Sequence, residues 1–210
     1  MADYMVTEID LTPGERISVI KNRSTGLPLF DPVVWATTEL RSAGQRPNSI
    51  NQALRAIAVM QRHFDTLGID LDARLQAGRF LTQAEATGLA AQCRVGLRQP
   101  KPTSEGATLP TGVVELDARR KTKAVGQVQQ AQTVKDTMAG VRAHYIRKYL
   151  SWKLDDYIFK IGVDDERFRD LQTLGKSAIS AFAEKAPKGR DYGQIEARQG
   201  LPTEARSLLE

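Results

Sequence analysis

One segment constrains this chain more than any other. Between Pro47 and Gly68, the apolar residues Ile50, Leu54, Ile57, Met60, Phe64 and Leu67 return every three or four positions. At 3.6 residues per turn they share one face of a helix, and that face must be buried against other elements. Arg46-Pro47 breaks the chain before this helix, and Gly68 ends it by turning left-handed. Asn48 or Ser49 can cap the free N–H groups at the start. A single helix of this kind is marginal alone in water, so the rest of the chain has to supply its packing partners.

It supplies them mostly as further helices. Asp31-Pro32 opens a short one that Gly44 stops after Leu40, and Asp70 to Gly78 allows two turns. Thr82 and Glu85 form a T-x-x-E capping box ahead of an alanine-rich helix reaching about Arg94. Gly96 to Val113 is rich in Pro, Gly, Thr and Ser and reads as the start of a long flexible connection. Thr133 can cap a helix running to about Ile161, in which Val134, Met138, Val141, Tyr145 and Trp152 fall within about 60° of one another and form the expected buried face. Asp164 or Asp165 starts another through Phe168, Leu171, Leu174, Ile179 and Phe182, stopped near Pro187. Lys188 to Gly200 reads as a charged linker, and Leu201-Pro202-Thr203 opens a last helix that breaks off at Glu210, as in a chain cut short within a longer protein. At the front, loose alternation of Val6, Ile9, Leu11, Ile17 and Val19 about Pro13-Gly14 predicts a small, weakly paired hairpin or an extended arm. The expected class is mainly α, with roughly five to seven helices and little sheet.

Charge suggests a partner. Lys and Arg exceed Asp and Glu by 30 to 25, and the isoelectric point is about 9.4, a balance that favours contact with a polyanion. The excess is concentrated: Arg119 to Lys160 holds ten basic residues against three acidic ones. On a continuous helix Lys135, Arg142, Lys153 and Lys160 lie within about 20° of one line, about a quarter turn from the expected apolar face. Such a stripe can lie on phosphates, though a solvated helix face explains it as well. Arg119, Arg120, Lys121 and Lys123 sit in the predicted flexible region and could wrap a duplex. A second candidate surface is the start of the Pro47 helix, where Arg46, Asn48, Ser49, Asn51 and Arg55 gather; plain capping is the alternative for Asn48 and Ser49.

Little points to chemistry. Cys93 has no second cysteine to pair with, and His63 and His144 are too few for a zinc set, so no metal or cofactor is implied and a reduced cytoplasm is the default location. No run approaches the roughly 18 apolar residues of a membrane span, and the N-terminus has no apolar signal core. Phosphate loops, nucleophile elbows and H-E-x-x-H elements are missing from the sequence. Asp155-Asp156 and Asp164-Asp165-Glu166 read as helix-end charges, and Cys93 as a small core residue.

The order Pro47-Asn48-Ser49-Ile50, Gly68-Ile69-Asp70-Leu71, Phe80-Leu81-Thr82-x-x-Glu85 and, much later, Arg142-x-x-Tyr145-Ile146-x-x-Tyr149-Leu150-x-Trp152 resembles the core-binding region of tyrosine recombinases and phage-type integrases. The likeness covers roughly residues 28 to 186. It implies a helical, SAM-like core-binding domain over that span with a long inserted loop at 96–132, an N-terminal arm or small β element at 1–27, and at 187–210 a linker and the entry to a catalytic domain. The resemblance further implies double-stranded DNA as partner, self-association on DNA in the parent protein, and recombination or integration chemistry residing beyond Glu210. His144-x-x-Arg147 imitates the family's phosphate-gripping box, but no Thr-Gly-x-Arg element precedes it, and Tyr149 and Tyr157 fall within the same predicted helix. Thr133 and Arg142 match the family's last core-binding helix, which implies a place near DNA. The rival expectation is a helical interaction scaffold with a basic face.

Overall fold

The computed structural model describes residues 3–12, 15–96 and 133–188. The chain is mainly helical, with one antiparallel hairpin at its N-terminal end. Strands β1 (Tyr4–Thr12) and β2 (Glu15–Asn22) pair in the register Tyr4↔Asn22, Val6↔Ile20 and Ile9↔Ile17. Residues two apart on a strand face the same way, so Tyr4, Val6 and Ile20 share one side. That side belongs to the helical core, and the hairpin is part of the fold rather than a detached arm. Arg62 of α2 (Pro47–Leu67) fastens it by an ion pair to Asp3 and a bond to the Tyr4 carbonyl.

Helix α1 (Phe30–Trp35) continues into wider, π-helical turns over Ala36–Arg41. The Thr37 and Thr38 hydroxyls donate back to the carbonyls of Val33 and Val34 there. Asp31 lies in the first turn of α1 and does not cap it; Leu29 holds the cap position. Gly44, at φ +71°, turns the chain towards α2.

Pro47 is the first residue of α2 and Arg46 its N-cap, so Asn48 and Ser49 are first-turn residues and not caps. Proline's fixed φ starts the helix one residue ahead of the nearest polar side chain. Gly68, in the left-handed region, closes the helix, with Ile69 N–H donating to the Phe64 carbonyl. Leu54, Ile57, Met60 and Phe64 are fully enclosed, each contributing about 1.5–3 kcal/mol by leaving water.

Asp70 caps α3 (Leu71–Gln76) by accepting from Ala73 N–H at 3.0 Å. The reciprocal Thr82–Glu85 box caps α4 (Gln83–Gln92). α5 (Asp136–Ile161) packs on α2, and α6 (Arg167–Lys185) packs on α4 and α5. The α5–α6 approach depends on Gly175: a Cβ there would stand 2.4 Å from a methyl of the buried Leu154.

The buried face of α5 differs from the expected one. Ala139, Ala143, Ile146, Tyr149, Leu150 and Leu154 form it, while Met138 is exposed and Val134, Tyr145 and Trp152 lie at its edge. This is a rotation of about a third of a turn. Small and aliphatic residues let α5 approach α2 closely, whereas the large amphipathic rings sit where their polar ends reach the surface.

Candidate nucleic-acid interface

The rotation of α5 decides the fate of the basic stripe. Lys135 and Lys160 are exposed, the latter paired with Asp156 at 2.6 Å, but Arg142 and Lys153 are buried. Arg142 donates to the carbonyls of Cys93 (3.1 Å) and Val95 (2.6 Å), where the C-terminal end of α4 leaves carbonyls without helical partners. The chain passes the same point twice: Val95 bridges Thr133, and Val134 N–H donates to the Arg94 carbonyl at 2.9 Å. Thr133 is therefore a bridge residue and not the cap of α5, whose N-cap is Lys135.

Lys153 forms ion pairs with Asp31 of α1 and Asp72 of α3 and ties both to α5. Burial opposes its charge, but the two carboxylates prevail and its pKa is raised. Neither Arg142 nor Lys153 can reach a surface phosphate without abandoning these acceptors, at the cost of a buried unpaired group. Both side chains thus lie inside the fold and not on the exposed stripe that helical spacing predicts. Arg119, Arg120, Lys121 and Lys123 lie outside the described residues.

The start of α2 is placed differently. Arg46, Asn48 and Arg55 are exposed, and Asn48, Gln52 and Arg55 follow one another along one polar face at helical spacing. Asn51 turns away from that face and donates to Glu8 of β1 at 3.2 Å, leaving its carbonyl oxygen buried without a partner. Ser49 is half-buried near Tyr145 of α5, whose hydroxyl makes a long 3.5 Å bond to Gln45. Burial raises the Tyr145 pKa, and the Ser49 contact works against the rise.

Tertiary structure adds residues that helical spacing could not find. A groove of about 490 Å³ opens between β2, the π-helical turns and the start of α2, lined among others by Arg16, Ser18, Thr37, Arg41, Gln45 and Pro47. Arg16 is two-thirds exposed and pairs with Asp10 across the hairpin at 3.1 Å. Arg46 stands between two of the lining residues. Two guanidinium groups from two elements, Arg16 and Arg41, thus line one groove, and the exposed Arg46 adjoins its lining residues in the chain, with a polar helix face running from it. In sequence they are up to 30 positions apart, and only the paired hairpin brings Arg16 to the others.

The other sequence candidates resolve as packing and helix-end groups. Tyr149 is buried, edge-on to Trp35 at 5.3 Å between ring centres and beside Trp152, and burial drives its phenol well above the ordinary range. The Tyr157 hydroxyl accepts from Arg167 at 3.3 Å. Asp165 accepts from the backbone N–H and guanidinium of Arg167, which holds its carboxyl down at about 2. Cys93 is enclosed, and burial pushes its thiol up to about 12. Among the described residues no three His, Cys, Asp or Glu side chains are placed to share a metal ion, and no helix is long and apolar enough to cross a membrane.

Comparison of the chain with protein-family models, with curated proteins and with solved structures gives no match.

Proposed function

We propose that this chain binds duplex DNA through the corner formed by the start of α2, the π-helical turns and the hairpin, as the non-catalytic front part of a tyrosine-type recombinase or integrase. The observation that carries the reading is the placement of Arg16 and Arg41 on one groove rimmed by the N-terminal turn of α2, with the exposed N-cap residue Arg46 next to its lining residues Gln45 and Pro47 in the chain. Guanidinium groups match phosphate oxygens in pairs, and a helix start adds N–H groups and a partial positive charge. Asn48, Gln52 and Arg55, on the exposed face of the same helix, suit base edges in the adjoining groove. The chain's net charge of +5 adds attraction at longer range.

A salt titration with a labelled duplex tests the reading. Affinity should fall steeply with salt, and replacing Arg46 by alanine should weaken binding to all sequences and lower the slope of log affinity against log salt by about 0.9. Replacing Asn48 by alanine should instead change preference among sequences. Binding that is absent at low salt, or flat with salt, would sink the proposal. Its recombinase part has a separate test: an Arg…His-x-x-Arg…Tyr series in the reading frame past Glu210 supports it, and a frame without one removes it.

A further inference from the structure

The π-helical turns form a ridge with a different groove on each side. Arg41 and Thr37 line the basic groove, whereas Glu39 and Leu40 line a second one, of about 740 Å³, between this ridge and α5. Three aromatic side chains shape the second groove: Trp35 at its floor, Trp152 half-buried, and Phe159, which at 88 % is the most exposed large apolar residue among those described. Three carboxylates, Glu39, Asp155 and Asp156, face one ammonium group, Lys148. Asp156 is paired with Lys160, but neither Glu39 nor Asp155 forms an ion pair among the described residues. With Asp156 paired to Lys160, one carboxylate remains in excess over Lys148, and an exposed phenylalanine two turns from a tryptophan on the same groove is an unusual surface for a protein to leave in water.

We propose that this groove receives a basic segment of a partner protein, in which an arginine or lysine is set beside an apolar side chain. Aromatic faces attract a cation directly, the flanking carboxylates complement its charge, and Phe159 with Trp152 offers the kind of aromatic anchor that carries binding energy at protein interfaces. The same carboxylates repel phosphate, which separates this surface chemically from the basic groove across the ridge. The inference is independent of DNA binding.

Both tryptophans of the chain, Trp35 and Trp152, line the groove, so intrinsic fluorescence reports its occupancy. The full chain is titrated with a short amphipathic peptide of leucine and arginine, and separately with its leucine–glutamate counterpart and a DNA duplex. The arginine peptide should shift tryptophan emission saturably and more weakly as salt rises. Phe159→Ala, and the double variant Glu39→Gln with Asp155→Asn, should each weaken it by about tenfold. All three side chains are exposed, so these variants leave the core intact. No shift with the arginine peptide, equal affinity in the variants, or an equal shift with the glutamate peptide or the duplex would overturn the proposal. A shift that grows with protein concentration alone, together with dimer formation in sedimentation, would assign the groove to a second copy of the chain and likewise overturn it.

Discussion

Glu85 makes the folded state sensitive to acid in a way that can be worked out from its contacts. Its two oxygens accept from both terminal nitrogens of Arg74, at 2.7 and 2.8 Å, and one also accepts from the Thr82 N–H at 2.8 Å. The Arg74 bonds, acting against burial and helped by Thr82, hold the Glu85 carboxyl at about 2, against an ordinary 4.5. As pH falls, the unfolded chain takes up this proton first. The stabilisation is therefore complete above about 4.5 and disappears as pH drops towards 2. A displacement of that size corresponds to about 3 kcal/mol if solvent played no part. Side-chain exposures of 20 % for Glu85 and 29 % for Arg74 admit screening, which brings the contribution to about 1–2 kcal/mol. Glu85→Gln keeps the shape and removes the charge. Urea unfolding of both proteins from neutral pH down to pH 2 should show the variant less stable by about 1–2 kcal/mol at neutrality, with the gap closing below about 4.5. A gap that is absent at neutrality, or that persists unchanged to the acid end, would mean that the Glu85 charge does not stabilise the fold.

Three further outcomes follow from buried contacts. Gly175→Ala drives a methyl group into Leu154, so despite alanine's better helix propensity it should destabilise by about 1–2 kcal/mol, read as a lower urea midpoint, and Leu154→Ala should cost less in that variant than in the parent chain. Arg142→Ala leaves the Cys93 and Val95 carbonyls without their donor and should cost about 2–3 kcal/mol of folding stability, while the salt slope of DNA binding by the folded fraction stays that of the parent chain. A reduced slope would instead return Arg142 to the DNA surface. Cys93 should react with a thiol reagent at neutral pH only at the rate of opening, so that reaction and urea unfolding accelerate together; prompt modification of the native chain would contradict its burial.

Signals carried by neighbouring residues were the legible ones. The T-x-x-E box and the Gly68 stop each act within one helical turn, and both appear where the sequence placed them, as does the short helix between Asp70 and Gly78. Cap identity at α2 moved by a residue or two because proline's fixed φ outweighed side-chain capping. Of the candidate interface, Arg46, Asn48 and Arg55 could be read from the sequence because they share one helix start. Arg16 and Arg41 could not, since their proximity depends on hairpin register and on the π-helical turns.

Periodicity, backbone preferences and local hydrogen bonds made the class and the extents of the main helices legible in the chain, while the front segment stood open between a hairpin and an arm. The chain also set Lys135, Arg142, Lys153 and Lys160 on nearly one line of α5, but not which way that line faces. Only packing against α2 and α6 settled that, when Ala139, Ala143, Ile146, Leu150 and Leu154 turned into the core and carried Arg142 and Lys153 inward. A long cationic side chain can be buried wherever carbonyls or carboxylates from distant elements meet it, and Cys93, Val95, Asp31 and Asp72 do so here only after folding.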